Sequence, residues 1–303
     1  MVKTEEIIKE ISRLKKEKRA IILAHNYQPD EVQEIADFVG DSLELSRKAA
    51  EVEANLIVFC GVHFMAETAK ILSPQKKVLL PDFKAGCPMA DMLSAQDVRQ
   101  LKERNPSRKV VAYVNTTAEV KAEADVCCTS ANAVKIVSAL PDEEIIFVPD
   151  RNLGAFVAGQ TGKRLIAWDG YCPVHENIRL KDIEKARKLH PGAEVWAHPE
   201  CRPEVLKQAD RIFSTGQMIK EAPKSPAREI IIATEIGILY RLRKENPQKS
   251  FYPACEKAIC NNMKKINLRK IYECLRDEKP EIIIEQQVAE QARKAINLMV
   301  KYI

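Results

Sequence analysis

The stretch Glu144-Ile145-Ile146-Phe147-Val148-Pro149-Asp150 decides the fold, because a short apolar run with strand-forming residues ends at a turn and a carboxylate. A similar stretch, Glu229 to Glu235, follows 85 residues later. Amphipathic segments of ten to fifteen residues separate such runs along the chain. This alternation is typical of βα units and predicts an α/β protein with parallel sheets.

Other segments of the chain continue the same pattern. Further strands are predicted at 20–24, 56–59 and 110–114, and helices at 29–38, 42–51, 130–139 and 203–209. Three blocks then share one order of landmarks. The first strand of each block ends in a polar cluster: His25-Asn26-Tyr27, Asn115-Thr116-Thr117 or His198-Pro199-Glu200. The second ends in Cys60-Gly61, Thr129-Ser130 or Thr215-Gly216, and the third in Pro81-Asp82, Pro149-Asp150 or Thr234-Glu235.

Each block then reaches a cysteine, which is Cys87, Cys172 or Cys260. The first block is longer, which predicts an inserted helix at Asp41-Ser42. We therefore expect three small α/β/α domains, at 1–90, 91–176 and 177–303, the last including the C-terminal helix. Ligands of α/β units bind where strands end and helices begin. A pseudo-threefold arrangement would bring the polar clusters and the three cysteines to one central, cluster-containing cavity.

Three convergent thiolates are compatible with two kinds of metal site. One is zinc completed by histidine or water, and the other is a [4Fe-4S] cluster with one iron that lacks a protein ligand. The Cys87-Pro88 and Cys172-Pro173 steps favour the cluster. An open iron is a Lewis acid that can remove a hydroxyl group, which favours dehydration over electron transfer. A non-catalytic iron–sulfur or zinc protein, acting as a sensor or electron carrier, is the alternative.

Composition excludes several other classes of protein. The 48 basic and 43 acidic residues give a net charge of +5 that is spread along the chain, which argues against a nucleic-acid partner. No uncharged apolar run approaches the roughly 18 residues needed to cross a bilayer. The charged start of the chain does not resemble a secretory signal, and the odd number of cysteines, nine, does not suggest a disulfide framework. We expect a cytoplasmic protein.

The motifs together resemble the quinolinate synthase family over nearly the whole chain. The residues that carry the resemblance are 24–28, 40–42, 59–69, 86–90, 113–116, 149–154, 198–201 and 214–216. The resemblance implies three α/β domains around a pseudo-threefold axis and a [4Fe-4S] cluster on three cysteines. It also implies condensation of iminoaspartate with dihydroxyacetone phosphate for NAD biosynthesis, coupled to an enzyme that produces iminoaspartate. Many family members carry a C-x-x-C-x-x-C run near the C-terminus, whereas this chain has only Cys255 and Cys260 there.

The resemblance and the strand ends together indicate the site residues. Cys87, Cys172 and Cys260 are the expected metal ligands, and Glu200 is expected to move protons because it alone breaks the threefold pattern with a carboxylate. Tyr27 and Tyr113 are expected to assist it. We expect substrate to be bound by hydroxyls and helix N-termini, by histidines that add positive charge, and by a basic flap; these residues are His25, Ser42, Asn115, Ser130, His198, Thr215, Gly216 and Lys224.

Overall fold

The computed structural model describes residues 4–301, in which the strands form three four-stranded parallel sheets. Each sheet has the strand order second, first, third, fourth. The first contains β1 to β4: Ala20–His25, Phe38–Gly40, Leu56–Cys60 and Lys77–Leu79. The second contains β5 to β8: Lys109–Tyr113, Val126–Cys128, Glu144–Val148 and Arg164–Ala167. The third contains β9 to β12: Glu194–Ala197, Arg211–Ile212, Glu229–Ala233 and Ser250–Pro253. The prediction of an α/β protein with parallel sheets is confirmed.

Helices connect the strands and flank the sheets. In chain order, α1 to α8 are Thr4–Glu17, Asp30–Ile35, Ser42–Glu51, His63–Leu72, Ala95–Arg104, Ala118–Ala122, Ala133–Ala139 and Arg151–Thr161. Helices α9 to α15 are Pro173–Glu176, Leu180–Leu189, Pro203–Leu206, Thr215–Glu221, Ile238–Glu245, Leu268–Asp277 and Gln286–Lys301. Short 3-10 turns occur at Ala90–Met92 and Met263–Lys265. No helix within residues 4–301 is long and apolar enough to cross a membrane.

An aspartate before the second strand braces each sheet in the same way. The Asp37 backbone N–H donates to Ile22 O at 2.9 Å, and its carboxylate accepts from Ile22 N–H at 2.8 Å. Asp125 makes the same pair of bonds with Val110, and Asp210 with Val195. These aspartates lie 88 and 85 residues apart, so they mark equivalent positions in the three sheets.

Loss of one brace is expected to weaken the fold without altering the cavity. In Asp125→Ala the N–H of Val110 loses a charged acceptor, which should cost about 1–2 kcal/mol of unfolding free energy. Lys109→Ala is the matched control, because Lys109 pairs with the same carboxylate, 3.0 Å away, at the exposed surface. That pair should contribute less than about 1 kcal/mol. Urea unfolding measures both, and equal effects of the two substitutions would contradict the role of the brace.

The braces also correct the predicted alignment of the first block. Phe38–Gly40 is its second strand, so the helix at Asp41-Ser42 is the equivalent of the helices that follow β6 and β10 rather than an insertion. Cys60-Gly61 therefore lies at the end of the third strand, and Pro81-Asp82 follows the fourth. The predicted match of Asp82 with Asp150 and Glu235 is wrong. The predicted helix 29–38 ends earlier, at Ile35, and its last residue, Phe38, is the first residue of β2.

Burial on both faces explains why the third strands contain an almost continuous apolar run. Along β11, Ile230 and Ile232 pack into one buried cluster, and Ile231 and Ala233 pack into another on the opposite face. Side chains alternate between the faces of a strand, so covering both faces by helices requires a continuous apolar run.

The C-terminal helices lie away from the third sheet. Helix α15 packs against α6, β6 and α4, and α14 packs against α1 and β3. The predicted third domain, 177–303, includes both helices, whereas they pack against elements of the first two sheets.

Candidate active site

One buried cavity, about 220 Å³ in volume, is lined by residues that follow strands of all three sheets. Twelve of the predicted site residues line it: His25, Tyr27, Ser42, Cys87, Tyr113, Asn115, Ser130, Cys172, His198, Glu200, Thr215 and Cys260. The residues lie at the carboxyl ends of parallel strands or in the segments that follow them, the edge at which α/β units bind ligands.

The three cysteines occupy the same position in three similar turns. Each follows the fourth strand of its sheet and precedes a short helical turn. The carbonyls of Cys87, Cys172 and Cys260 accept from backbone N–H groups four residues on, at 3.2, 2.8 and 3.2 Å. The backbone N–H groups three residues on, those of Ala90, His175 and Met263, stabilise the thiolate form of each. Three sulfurs with matching N–H donors therefore face one cavity.

Burial keeps these thiols protonated in the absence of a cation. It raises the pKa of Cys87 to about 12, and it also raises the pKa values of Cys172 and Cys260. The sulfur of Cys172, a nitrogen of His175 and an oxygen of Glu200 lie within 4.8 Å of one another. Sulfur, nitrogen and oxygen donors at this separation could bind a metal ion.

Glu200 is the centre of a buried polar network. Its Oε1 accepts a hydrogen bond from the Tyr113 hydroxyl, and its Oε2 lies 2.7 Å from His175 Nδ1. This second contact does not have hydrogen-bond geometry, and among the described residues Nδ1 has no hydrogen-bond partner. The Oδ1 atom of Asn115, also in the cavity, lacks a hydrogen-bond partner within residues 4–301. The site therefore retains polar atoms that a ligand could satisfy.

The network continues from His175 to Tyr27. His175 Nε2 lies 2.7 Å from Thr234 Oγ1, which in turn lies 2.5 Å from the Tyr27 hydroxyl. We refer to the residues Tyr27, Thr234, His175, Glu200 and Tyr113 as the cavity network. The sequence alone assigns no role to His175 and predicts only the end of a strand at Thr234. His175 and Thr234 contact Tyr27 although they lie 148 and 207 residues from it in the sequence, so these contacts are not evident from local motifs. The position of His175 three residues after Cys172 is the one sequence signal that could have indicated a role in the site.

Electrostatics divides the members of the network into proton acceptors and donors. Burial alone would raise the pKa of Glu200, but His175 and His198 outweigh it and lower that pKa to about 2. Burial, reinforced by the charge of Glu200, raises the pKa values of Tyr27 and Tyr113 well above 10. At neutral pH the cavity therefore holds a carboxylate between two neutral phenols.

The histidines that were expected to add positive charge are neutral. Burial lowers the pKa values of His25 and His198 to about 3, even though Glu200 opposes the shift. The imidazoles can therefore hydrogen bond to an anion but carry no charge at neutral pH, which corrects the sequence-based expectation.

Buried carboxylates at the ends of two third strands support the cysteine turns. Glu235 Oε1 accepts from the backbone N–H of Cys260 at 3.0 Å, and the carboxylate of Asp150 faces the backbone N–H of Cys172. The shared structural role expected for these two positions agrees with these contacts. Asp82 instead follows the fourth strand and bonds Lys270 at 2.6 Å.

Hydroxyl residues after the second strands line the cavity, but the helix starts near them are already capped. Asp41 accepts from two N–H groups of α3, and Ser214 caps α12. Ser130 precedes the start of α7 by three residues, so the prediction that it begins a helix is wrong. Gly216 is not among the cavity-lining residues: a Cβ there would lie 2.4 Å from an Asp41 oxygen, so glycine permits the two helix starts to approach.

Lys224 does not reach the cavity. It lies beyond the end of α12, its side chain is 65% exposed, and it pairs with Glu221 at 2.7 Å. A pairing with a carboxylate three residues earlier satisfies this lysine at the surface. The structure does not support the predicted flap.

Three parallel β-sheets, flanked by helices, contribute thiols, imidazoles and a carboxylate to one cavity. These features define an α/β enzyme with a site that could bind a metal. A family model described as quinolinate synthetase A protein (NadA) matches residues 9–301. The chain belongs to this family, which confirms the resemblance read from its motifs.

Curated relatives agree over nearly their whole lengths. The quinolinate synthase of Dehalococcoides mccartyi strain 195 is 55% identical over 298 residues, covering 98% of this chain and 99% of the relative. That of Caldicellulosiruptor bescii is 54% identical over 298 residues, covering 98% of each. Quinolinate synthase 2 of Methanosarcina acetivorans is 53% identical over 293 residues, covering 97% of this chain and 94% of the relative.

Proposed function

We propose that the chain condenses iminoaspartate with dihydroxyacetone phosphate, forming quinolinate, one phosphate and two waters for NAD biosynthesis. Membership of the quinolinate synthetase A family supports this activity. The observation that carries it is the meeting of three matched cysteine turns and the buried network around Glu200 in one cavity. A sensor or electron carrier would need the thiols but has no use for a carboxylate held between two phenols.

We further propose that the three sheet units, approximated by 1–90, 91–176 and 177–303, are related by a pseudo-threefold axis through the cavity. The shared strand order and the equivalent aspartate braces support this arrangement. The equivalent positions of the cysteines support it as well, because a threefold relation brings equivalent atoms to the axis. The C-terminal helices stand outside the repeat.

The donor set suits an iron–sulfur cluster held by Cys87, Cys172 and Cys260. Partly buried thiols with N–H donors aimed at their sulfurs suit the binding of such a cluster. A [4Fe-4S] cluster with one iron free of protein ligands would supply a Lewis acid for the departing hydroxyl. Zinc is the alternative for three thiols, and a visible absorbance spectrum taken without oxygen distinguishes the two, because zinc is colourless.

Glu200 is the proposed proton acceptor of the cavity. The condensation removes protons from carbon and delivers protons to leaving oxygens, so it needs both an acceptor and a donor. Glu200 enters the reaction as a carboxylate, and Tyr27 and Tyr113 enter as neutral phenols that can donate. Environments that push pKa values apart in this way are typical of acid–base pairs.

Phosphate is proposed to bind through the hydroxyls of Ser42, Ser130 and Thr215, with the neutral imidazoles of His25 and His198 and the amide of Asn115 as further hydrogen-bonding groups. Each hydroxyl residue follows the second strand of a different sheet. Their convergence provides hydrogen bonds to an anion from several directions, whereas a single flexible lysine would provide one.

Removal of the Thr215 hydroxyl is expected to weaken substrate binding. A hydrogen bond to a charged group contributes about 1.5–3 kcal/mol, so Thr215→Ala should raise the KM for dihydroxyacetone phosphate at least about 10-fold with little change in kcat. Thr215→Ser retains the hydroxyl and should restore the KM. Steady-state kinetics at saturating iminoaspartate would show this, and an unchanged KM with a collapsed kcat would place Thr215 in the chemistry instead.

The whole proposal is tested by coupled turnover without oxygen. The metal-reconstituted protein is supplied with dihydroxyacetone phosphate and an iminoaspartate-producing enzyme, the partner that this reaction requires. Quinolinate and phosphate should appear in equal amounts. A metal-loaded protein that forms neither would favour the sensor or electron carrier.

We also propose a cytoplasmic location, because thiols that bind a metal must remain reduced.

A further inference from the structure

Thr234 lies between the two halves of the cavity network. It follows β11 at the end of the third strand of its sheet and is almost completely buried. Its Oγ1 lies 2.5 Å from the Tyr27 hydroxyl and 2.7 Å from His175 Nε2. Tyr27 and His175 approach each other directly only at 3.5 Å. The threonine hydroxyl is therefore the close link between them.

A single hydroxyl proton gives this link a direction. Thr234 can donate to only one of its two neighbours and must accept from the other. Tyr27 is a neutral phenol with its own proton, so it can donate to Thr234, which leaves the threonine proton for Nε2 of His175. An imidazole that accepts at Nε2 carries its ring proton on Nδ1. That nitrogen lies 2.7 Å from the Glu200 carboxylate, where a proton is attractive and a lone pair would be repelled.

We propose that Thr234 is a positioning residue, whose hydroxyl fixes the ring orientation and tautomer of His175 and thereby holds Glu200 beside Tyr113. This inference rests on the proposed function for its kinetic consequence but not for its structural one. Thr234 is not itself among the residues that line the cavity, so its effect passes through Tyr27 and His175.

Two substitutions at this position separate the hydroxyl from the shape of the side chain. Thr234→Val keeps the branched shape but removes the hydroxyl, and kcat should fall about 10- to 100-fold while both KM values stay within about twofold. Thr234→Ser restores the hydroxyl and should recover most of kcat. Metal content and thermal unfolding of each variant establish that the protein remains folded and loaded.

A double-mutant cycle tests whether Thr234 acts through its neighbour. If it does, adding Thr234→Val to His175→Ala should cost much less than the valine substitution costs alone. Additive losses would assign Thr234 a separate, merely structural effect. Full activity of the valine variant, or equal losses in the valine and serine variants, would overturn the proposal.

Crystal structures of the two variants give a test that needs no turnover. The separation of His175 Nδ1 and Glu200 Oε2 should stay near 2.7 Å in the serine variant and lengthen beyond hydrogen-bond reach in the valine variant. An unmoved imidazole in the valine variant would overturn the positioning role. Absence of quinolinate from the wild-type assay would instead count against the proposed function, and the crystallographic comparison would still decide the role of Thr234.

Discussion

Replacement of Cys87, Cys172 or Cys260 by alanine is expected to remove most of the bound iron and abolish turnover. Each sulfur belongs to one of three equivalent turns that line the same cavity, and the methyl group of alanine cannot coordinate a metal. Iron and sulfide content, with the visible spectrum, should be measured after reconstitution without oxygen.

Cys255 provides the matched control for this result. It lies five residues before Cys260 and lines a separate groove with His190 and Tyr252. Cys255→Ala should therefore load iron normally. Iron that is lost in this variant but retained in Cys260→Ala would transfer the third ligand position to Cys255.

Substitution of Glu200 by glutamine is expected to lower turnover by about 100-fold or more while the metal content stays normal. The amide retains the size of the side chain and can still accept a hydrogen bond from Tyr113, but it cannot take up a proton. It also removes the negative charge 2.7 Å from His175 Nδ1. Single-turnover measurement of quinolinate formation isolates the chemistry from product release.

Glu204→Gln is the control for a general effect of charge. Glu204 lies four residues further along the chain, and its side chain is 46% exposed at the start of α11. Its substitution should leave turnover unchanged. Near wild-type turnover in Glu200→Gln would remove this carboxylate from the mechanism and leave the tyrosines as candidates.

The long strands could be predicted because their burial leaves a strong pattern, as in Ile230, Ile231 and Ile232. The strand Phe38–Gly40 could not, because three residues following a helix carry too little periodicity. Its omission shifted the first block out of alignment with the others. The aspartates Asp37, Asp125 and Asp210 would have restored the register, but their bonds to the first strands are not evident from composition.

Some residues of the candidate site could likewise be predicted from the sequence and others could not. Thiols and polar residues at strand ends were predictable, because parallel topology gathers them at one edge. The role of His175 was not, since it depends on contacts with Glu200 and Thr234, 25 and 59 residues away. The charge of Lys224 suggested phosphate binding, yet the orientation of a surface lysine is set by its neighbours, here Glu221.

The packing of α15 on β6 and α6 has a consequence for how the chain is synthesised. The second sheet is complete once residue 167 has emerged, but the helix that covers this part of it begins at residue 286. At about 5–20 residues per second, roughly 6–24 s pass between the synthesis of residue 167 and the synthesis of residue 286. During this interval the nascent chain exposes apolar side chains at the edge of a sheet, the kind of surface that chaperones bind.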